Sequence, residues 1–376
     1  MPIFIAILIF GLVILVHELG HFIAARRSGV LVKEFAIGMG PKLIGKQVGE
    51  TLYSLRILPL GGFCLMLGDD ADSMGDKEGD AEYTEANALS DRTFNSKGIP
   101  QRMAIMFGGS FMNFVLAFVL FTLLAMLTGF ATTTLHSVTE GSPAEAAGLM
   151  PGDRITSFNG SVIFLFEDIS FGMATNDGRP VDLGFTRDGE RHVATIVPEF
   201  VGDRYLLGIA PTRRFGLLQD PSDAMERATL SHSISVGFFR IGFFVRTTLI
   251  GLVRLVTAQL GFDQLAGPIG IVSMIGGQYQ TTLEVAEAAN QGTAFVVLSL
   301  TLTMLQFAAF ISANLGVLNL LPFPALDGGR IIFLTIEAIR RKPIPPEREG
   351  IFHIAGFVLL MILAVFIAYQ DILNIL

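Results

Sequence analysis

Residues 3–27 read IFIAILIFGLVILVHELGHFIAARR. The run from Ile3 to Ala25 is apolar and long enough to cross a bilayer as one helix, yet it holds His17, Glu18 and His21. Ionisable groups inside a span are costly to insert, so such a cluster is a functional-site signal. On a helix, residues four apart share a face, so both imidazoles can grip one zinc ion while Glu18 reaches its water. With 6 histidines in the chain, a chance HExxH has a probability on the order of one in a hundred. Two histidines leave zinc incomplete, so a third ligand must come from elsewhere. The run lacks a basic n-region and continues through the motif, so it reads as a retained span and not a signal peptide.

Composition agrees with a membrane setting. The chain has 376 residues, 51% of them hydrophobic and 16% charged, with a mean hydropathy of +0.58. This excludes an ordinary soluble enzyme and implies several membrane spans. The net charge of −8 comes partly from Asp69 to Asp91, with Glu78, Glu82 and Glu85, a stretch expected to be a solvated, mobile loop without chemistry. No nucleic-acid partner is expected. The single cysteine, Cys64, excludes an intramolecular disulfide and a Cys-rich metal site, and reads as a small apolar filler.

Four segments can cross a bilayer: about Ile3 to Ala25, Met103 to Phe130, Ala294 to Leu321, and Ile351 to Tyr369. Arg26 and Arg27 follow the first span, and Arg340, Arg341, Lys342 and Arg348 fill the loop between the third and fourth. Basic loops face the cytoplasm, which places the N-terminus, the segment from about Ala131 to Asn290 and the C-terminus outside. Ser231 to Leu260 is apolar but carries Arg240, Arg246 and Arg254. One extra crossing would put a ligand at the end of the third span on the wrong side from His17, so an amphipathic helix at the outer interface is expected. Ala266-Gly267-Pro268-Ile269-Gly270 reads as a turn.

After the first span, Phe35 to Gly40 and Tyr53 to Leu67 suggest short strands between glycine and proline turns. Such backbone is tolerated at membrane depth only where protein or water satisfies it, so a small sheet beside the zinc is expected. Its free edge can take an unwound substrate by strand addition. Further on, Gly141 to Ile155, reading GSPAEAAGLMPGDRI, followed by Asn159-Gly160, resembles the central segment of bacterial PDZ domains. Alternating runs at Val181 to Phe185 and His192 to Val197 supply more strands.

The third span ends in Asn314-Leu315-Gly316-Val317-Leu318-Asn319-Leu320-Leu321-Pro322-Phe323-Pro324-Ala325-Leu326-Asp327-Gly328-Gly329. Prolines interrupt the helix, so the Asp327 carboxylate can turn inward and becomes the candidate third ligand. An Asp-Gly after prolines is by itself an ordinary turn; the incomplete zinc shell and the parity of the two spans favour the ligand.

Together, HELGH ending a first span, NxxPxPxLDG ending a third, and a PDZ-like insert between the second and third resemble the site-2 protease family of intramembrane zinc metalloproteases. The likeness extends through Phe35 to Gly40, Pro59 to Phe63, Arg102-Met103 and Asn113. It is strongest to bacterial regulators that cleave membrane-anchored anti-sigma factors and remnant signal peptides. The resemblance implies a polytopic α-helical membrane protein of about four transmembrane helices, with a membrane-associated β-hairpin and one inserted PDZ domain. The expected division is 1–130 and 291–376 for the catalytic membrane parts, 131–213 for the PDZ domain, and 214–290 for the interfacial helix and connecting loop. By resemblance, His17, His21 and Asp327 bind one Zn2+ and Glu18 is the general base; Asn314 and Asn319, amides close to the third ligand in sequence, are expected to hold the substrate backbone or the oxyanion. Interhelical hydrogen bonding is an equal reading for the two asparagines.

The expected substrates are single-span membrane proteins first trimmed by another protease, in a bacterial cytoplasmic membrane. Two departures stand out: room for one PDZ domain where some members have two, and Gly109-Ser110 where the family has Gly-Pro, expected to alter only packing near Asn113. The competing function is a zinc-binding membrane scaffold or transporter that recruits partners without hydrolysis.

Overall fold

The computed structural model describes residues 2–68, 90–219, 226–259, 261, 267–288, 292–342, 344 and 346–375. The acidic stretch from Asp69 lies outside the described residues except at its end, and so does Ala266. Two compact units result, one of residues 1–117 with 244–376 and one of residues 118–243.

In the first unit, helix α1 (Pro2–Arg27) carries the HExxH. It stops where Gly29 takes φ 72° and the Val30 N–H returns to the Ala25 carbonyl, a left-handed C-terminal cap. Strands β1 (Val32–Val48) and β2 (Thr51–Met66) pair antiparallel and are longer than the short strands expected. Their register shifts repeatedly, and Phe35 is matched both to Cys64 and to Tyr53, so the first half of β1 is flanked by two stretches of β2. Phe22 of α1 packs on Phe35 and Tyr53, with ring centroids 5.2 and 6.0 Å away, which fixes the hairpin against the motif helix.

Helix α2 (Ile99–Thr128) begins in this unit and ends in the other. It meets α1 through glycines: a Cβ on Gly20 would lie 2.1 Å from the Gly108 carbonyl oxygen, and one on Gly108 would lie 2.8 Å from that of Gly20. Small residues at such a crossing let two backbones touch, the usual device for packing helices in lipid.

The second unit is built on a six-stranded sheet. Its elements are β3 (Phe130–Val138), the short α3 (Pro143–Ala146), β4 (Arg154–Phe158), β5 (Ser161–Val162), α4 (Phe166–Ala174), β6 (Val181–Arg187) and β7 (Glu190–Ile196). A separate hairpin, β8 (Glu199–Val201) with β9 (Arg204–Leu206), precedes β10 (Ile209–Arg214). The strand order is β10-β3-β4-β6-β7, with β5 beside β4. Alternate residues Val181, Leu183 and Phe185 of β6 face a core shared with Leu135, Ile155 and Ile196. Asp153, 1% exposed, is held by Arg187 at 2.7 Å and by the Met150 N–H at 2.8 Å.

Helix α5 (Leu230–Val256) starts in the second unit, where Arg240 pairs with Glu167 at 2.7 Å and Phe239 stacks on Phe164 at 4.4 Å. Its remainder, with α6 (Pro268–Ala288), α7 (Thr293–Asn319), α8 (Asp327–Arg340) and α9 (Pro346–Ile375), belongs to the first unit.

Among the described residues, five helices are long and apolar enough to cross a membrane: α1, α2, α5, α7 and α9. Four coincide with the expected segments. The fifth, α5, is the stretch expected to lie at the interface. A further difference is α6, because the sequence reading gave a turn and connecting loop where a 21-residue helix runs. Proline is at home at the start of a helix, where its missing N–H is no loss. The other donors there are satisfied from far away: Asp371 of α9, 3% exposed, accepts the Gly267 N–H at 3.1 Å and the Gly270 N–H at 2.8 Å. A cap 101 residues downstream leaves no local signal.

Candidate metal centre and active site

The first unit brings three predicted side chains to one point. His17 Nε2 and His21 Nε2 are 3.1 Å apart, and Asp327 Oδ2 lies 3.2 Å from the first and 3.3 Å from the second. A tetrahedral ion with bonds of roughly 2.0–2.1 Å holds its ligand atoms about 3.3–3.4 Å apart. The three atoms therefore outline one face of such a shell, with a fourth position open. Asp327 Oδ2 is buried with no hydrogen-bond partner among the described residues. A carboxylate oxygen left so in an apolar setting needs a cation, and a two-nitrogen, one-oxygen donor set suits zinc.

The backbone explains how these groups meet. A helical spacing of four stacks His17 over His21 on one face of α1. The Gly20–Gly108 contact then draws α2 close enough for its backbone to serve the rings. Nδ1–H of His21 donates to the Ile105 carbonyl at 2.8 Å, leaving Nε2 with its lone pair. Nδ1 of His17 faces the Asn113 carboxamide at 3.2 Å, and Asn113 Oδ1 is buried without a partner among the described residues. With that oxygen turned to the ring it accepts Nδ1–H, and His17 Nε2 is likewise freed for metal. Asn113 is wholly buried, and its carbonyl accepts the Ser312 hydroxyl of α7 at 2.8 Å.

Asp327 opens α8, directly after the Pro322–Leu326 turn. The N-cap residue is Leu326, and Asp327 occupies the first position of the helix. The two glycines that follow are required by contact. A Cβ on Gly328 would lie 2.1 Å from the Leu321 carbonyl oxygen, and one on Gly329 would lie 2.4 Å from that of Phe323. Farther along α8, Glu337 pairs with Arg102 of α2, both largely buried.

Glu18 lies between the histidine–aspartate cluster and the hairpin. Its carboxylate takes a hydrogen bond from the Cys64 N–H, and its Cγ would lie 3.6 Å from a Cβ on Gly62. One strand of β2 thus runs beside the acid. The two asparagines separate. Asn319 Nδ2 lies 3.3 and 3.4 Å from the nitrogens of His17, at the centre. Asn314 instead accepts the Thr248 hydroxyl of α5 at 2.6 Å and donates to Phe310 at 2.9 Å, an interhelical bond.

Sequence reasoning passed over Gly109. A Cβ there would lie 2.4 Å from His21 Nε2 and 2.7 Å from His17 Nε2, so the glycine leaves room at the metal-binding edge and does more than adjust packing. The Gly109-Ser110 departure was the one available signal, since the glycine was kept where the next residue changed.

The sequence profile of Peptidase family M50 matches residues 5–363. The chain belongs to peptidase family M50. Its relatives agree along nearly the whole length. A Clostridium perfringens protein whose given name is that of a zinc metalloprotease is 39% identical, over 99% of each chain. The regulator of sigma-W protease RasP of Bacillus subtilis is 32% identical, over 97% of each. The zinc metalloprotease RasP of Oceanobacillus iheyensis is 31% identical over the same shares. This M50 member is accordingly a metalloprotease of the site-2 protease family, with zinc as its cofactor. Its apolar helices make it a multi-pass membrane protein.

Proposed function

We propose that this chain hydrolyses peptide bonds within the transmembrane segments of single-span proteins, after another protease has made a first cut. The observation that carries the reading is the triangle of His17 Nε2, His21 Nε2 and Asp327 Oδ2, with sides of 3.1–3.3 Å, inside an apolar span and next to Glu18.

His17, His21 and Asp327 hold the ion in this reading. When bound, zinc supplies Lewis acidity, which lowers the pKa of a water toward neutrality and polarises a carbonyl. The Glu18 carboxylate takes the proton of the attacking water and delivers it to the leaving amide nitrogen. Its hydrogen bond from Cys64 orients it for both transfers. The Asn319 amide, beside His17, is placed to donate to substrate oxygen. Asn314 serves by tying α7 to α5.

A transmembrane helix hides its carbonyls in its own hydrogen bonds, so the substrate must unwind locally before attack. The strand of β2 beside Glu18 offers the unwound segment a backbone partner by strand addition. We assign residues 131–213 as a PDZ domain that excludes substrates whose external domains are still bulky. With α1, α2, α7 and α9 crossing and α5 lying at the outer interface, the N-terminus, this domain and the C-terminus face outward from a bacterial cytoplasmic membrane, following the basic loops. The name of the Bacillus subtilis relative, regulator of sigma-W protease RasP, directs the substrate class to membrane-anchored anti-sigma factors.

The test is a pair of single-span substrates in proteoliposomes, one natural-like and one with its helix-weakening residues changed to leucine. Slower cleavage of the leucine version with unchanged binding is expected. Equal cleavage of both would refute the unwinding step, and cuts located by mass spectrometry outside the span would refute intramembrane hydrolysis.

A further inference from the structure

The turn that delivers Asp327 is gripped by helix α9. Ala325 takes φ 76°, a left-handed conformation that is unfavourable for a non-glycine residue, so neighbouring structure must hold it there. The Ala325 N–H donates to Nδ1 of His353 at 3.0 Å. His353 therefore carries its proton on Nε2, which faces Glu349 at 3.7 Å. Phe333 of α8 packs on the imidazole at 5.8 Å between centroids. Three residues along α9, a Cβ on Gly356 would lie 2.3 Å from Pro324 Cβ and 2.6 Å from its carbonyl oxygen. The α9 backbone is thus flush with the turn, and its one histidine spends an acceptor on the amide two residues before Asp327.

We propose that His353 is a positioning residue for the metal centre: its Nδ1 fixes the left-handed backbone at Ala325 and so the direction in which the Asp327 carboxylate leaves the turn. This rests on the reading of Asp327 as a zinc ligand. Without the acceptor, the part-buried Ala325 N–H loses the partner that holds it within the turn. The peptide between Pro324 and Ala325 can then rotate out of its left-handed well, carrying Asp327 off the histidine pair. His353 touches neither metal nor substrate, and acts only through the backbone.

The experiment follows zinc, not turnover. Full-length protein in nanodiscs is loaded with zinc, challenged with excess EDTA, and sampled for retained metal over time. His353→Leu should release zinc about tenfold faster than wild type, while His353→Gln, whose Oε1 can still accept, should stay within about twofold. Wild-type release from His353→Leu would overturn the proposal, and so would a Gln variant as fast as the Leu variant, since ring packing alone would then explain the loss. Asp327→Asn is the separate control. If it keeps zinc as wild type does, the ligand reading fails; if it loses zinc while His353→Leu does not, only the positioning role fails. Should His353→Leu not accumulate, hydrogen exchange at the Ala325 amide of wild type decides. Protection is expected, and exchange at the free-peptide rate would overturn the bond.

Discussion

Replacing Gly109 by alanine adds one methyl group at the most crowded point of the metal centre. Its Cβ would stand 2.4 Å from His21 Nε2, 2.6 Å from His17 Cε1 and 2.7 Å from His17 Nε2, where ordinary contact begins at 3.4 Å. The overlap of about 1 Å cannot be relieved by rotating a flexible side chain, because both rings are anchored through Nδ1. Either α2 retreats, withdrawing the Ile105 and Asn113 acceptors, or the rings turn away from Asp327. A displacement of about 1 Å at a reacting centre costs roughly a hundredfold in rate, and zinc affinity should fall by at least about tenfold. Overpacking at the crossing should cost about 1–3 kcal/mol, offset in part by the better helix propensity of alanine, about 1 kcal/mol. Purified Gly109→Ala should be folded, poor in zinc by elemental analysis, and at least about a hundredfold slower on a single-span substrate. Gly277→Ala is the matched control, as a Cβ on that helical glycine meets nothing within 4 Å. A Gly109→Ala protein with one zinc per chain and near wild-type cleavage would refute the placement of α2 against the histidines.

Other outcomes follow from the same contacts. Asn113→Leu removes the acceptor for His17 Nδ1–H and should weaken zinc about 10–100-fold in a chelator competition, whereas unchanged affinity would remove Asn113 from the centre. In the sheet unit, burial pushes the Asp153 carboxyl up, but Arg187 and the Met150 N–H together hold it below the ordinary carboxylate range. A depressed folded pKa contributes stability above the unfolded value near pH 3.9, lost as pH falls through the folded one. Arg187→Ala should therefore destabilise the sheet unit at neutral pH, because it leaves the buried Asp153 carboxylate without its cation. It should also flatten the acid limb below about pH 4. Hydrogen exchange of peptides from 131–213 in the full chain reads both effects, and an unchanged acid limb would contradict this assignment.

The chemistry was more legible than the packing. His17, Glu18 and His21 announce themselves because four-residue spacing is a local property of a helix, and an apolar run makes charges conspicuous. Asp327 was reachable because prolines interrupt the third span just before it and two histidines leave a zinc shell incomplete. Asn113, Ile105 and Gly109 were not, because they meet the histidines through a helix crossing some 84–96 residues away in sequence. His353 belongs to no sequence motif; its partner is a backbone amide 28 positions back. The two asparagines of the third span looked equivalent, yet Asn319 lies beside His17 while Asn314 reaches Thr248 of α5. Helix α6 was missed because its glycine-rich start mimics a turn and its cap, Asp371, is supplied by the last helix. The β-hairpin was seen in pieces, since its shifting register breaks the period-two pattern on which a strand reading depends.

The most direct measurement compares wild type with Glu18→Gln, both purified with zinc quantified, on a tagged single-span substrate whose external domain has been removed. Retained zinc with cleavage lost is predicted, because Gln keeps the size of Glu18 but cannot take the proton. Cleavage within the span by Glu18→Gln at the wild-type rate would contradict the assignment of Glu18 as the base.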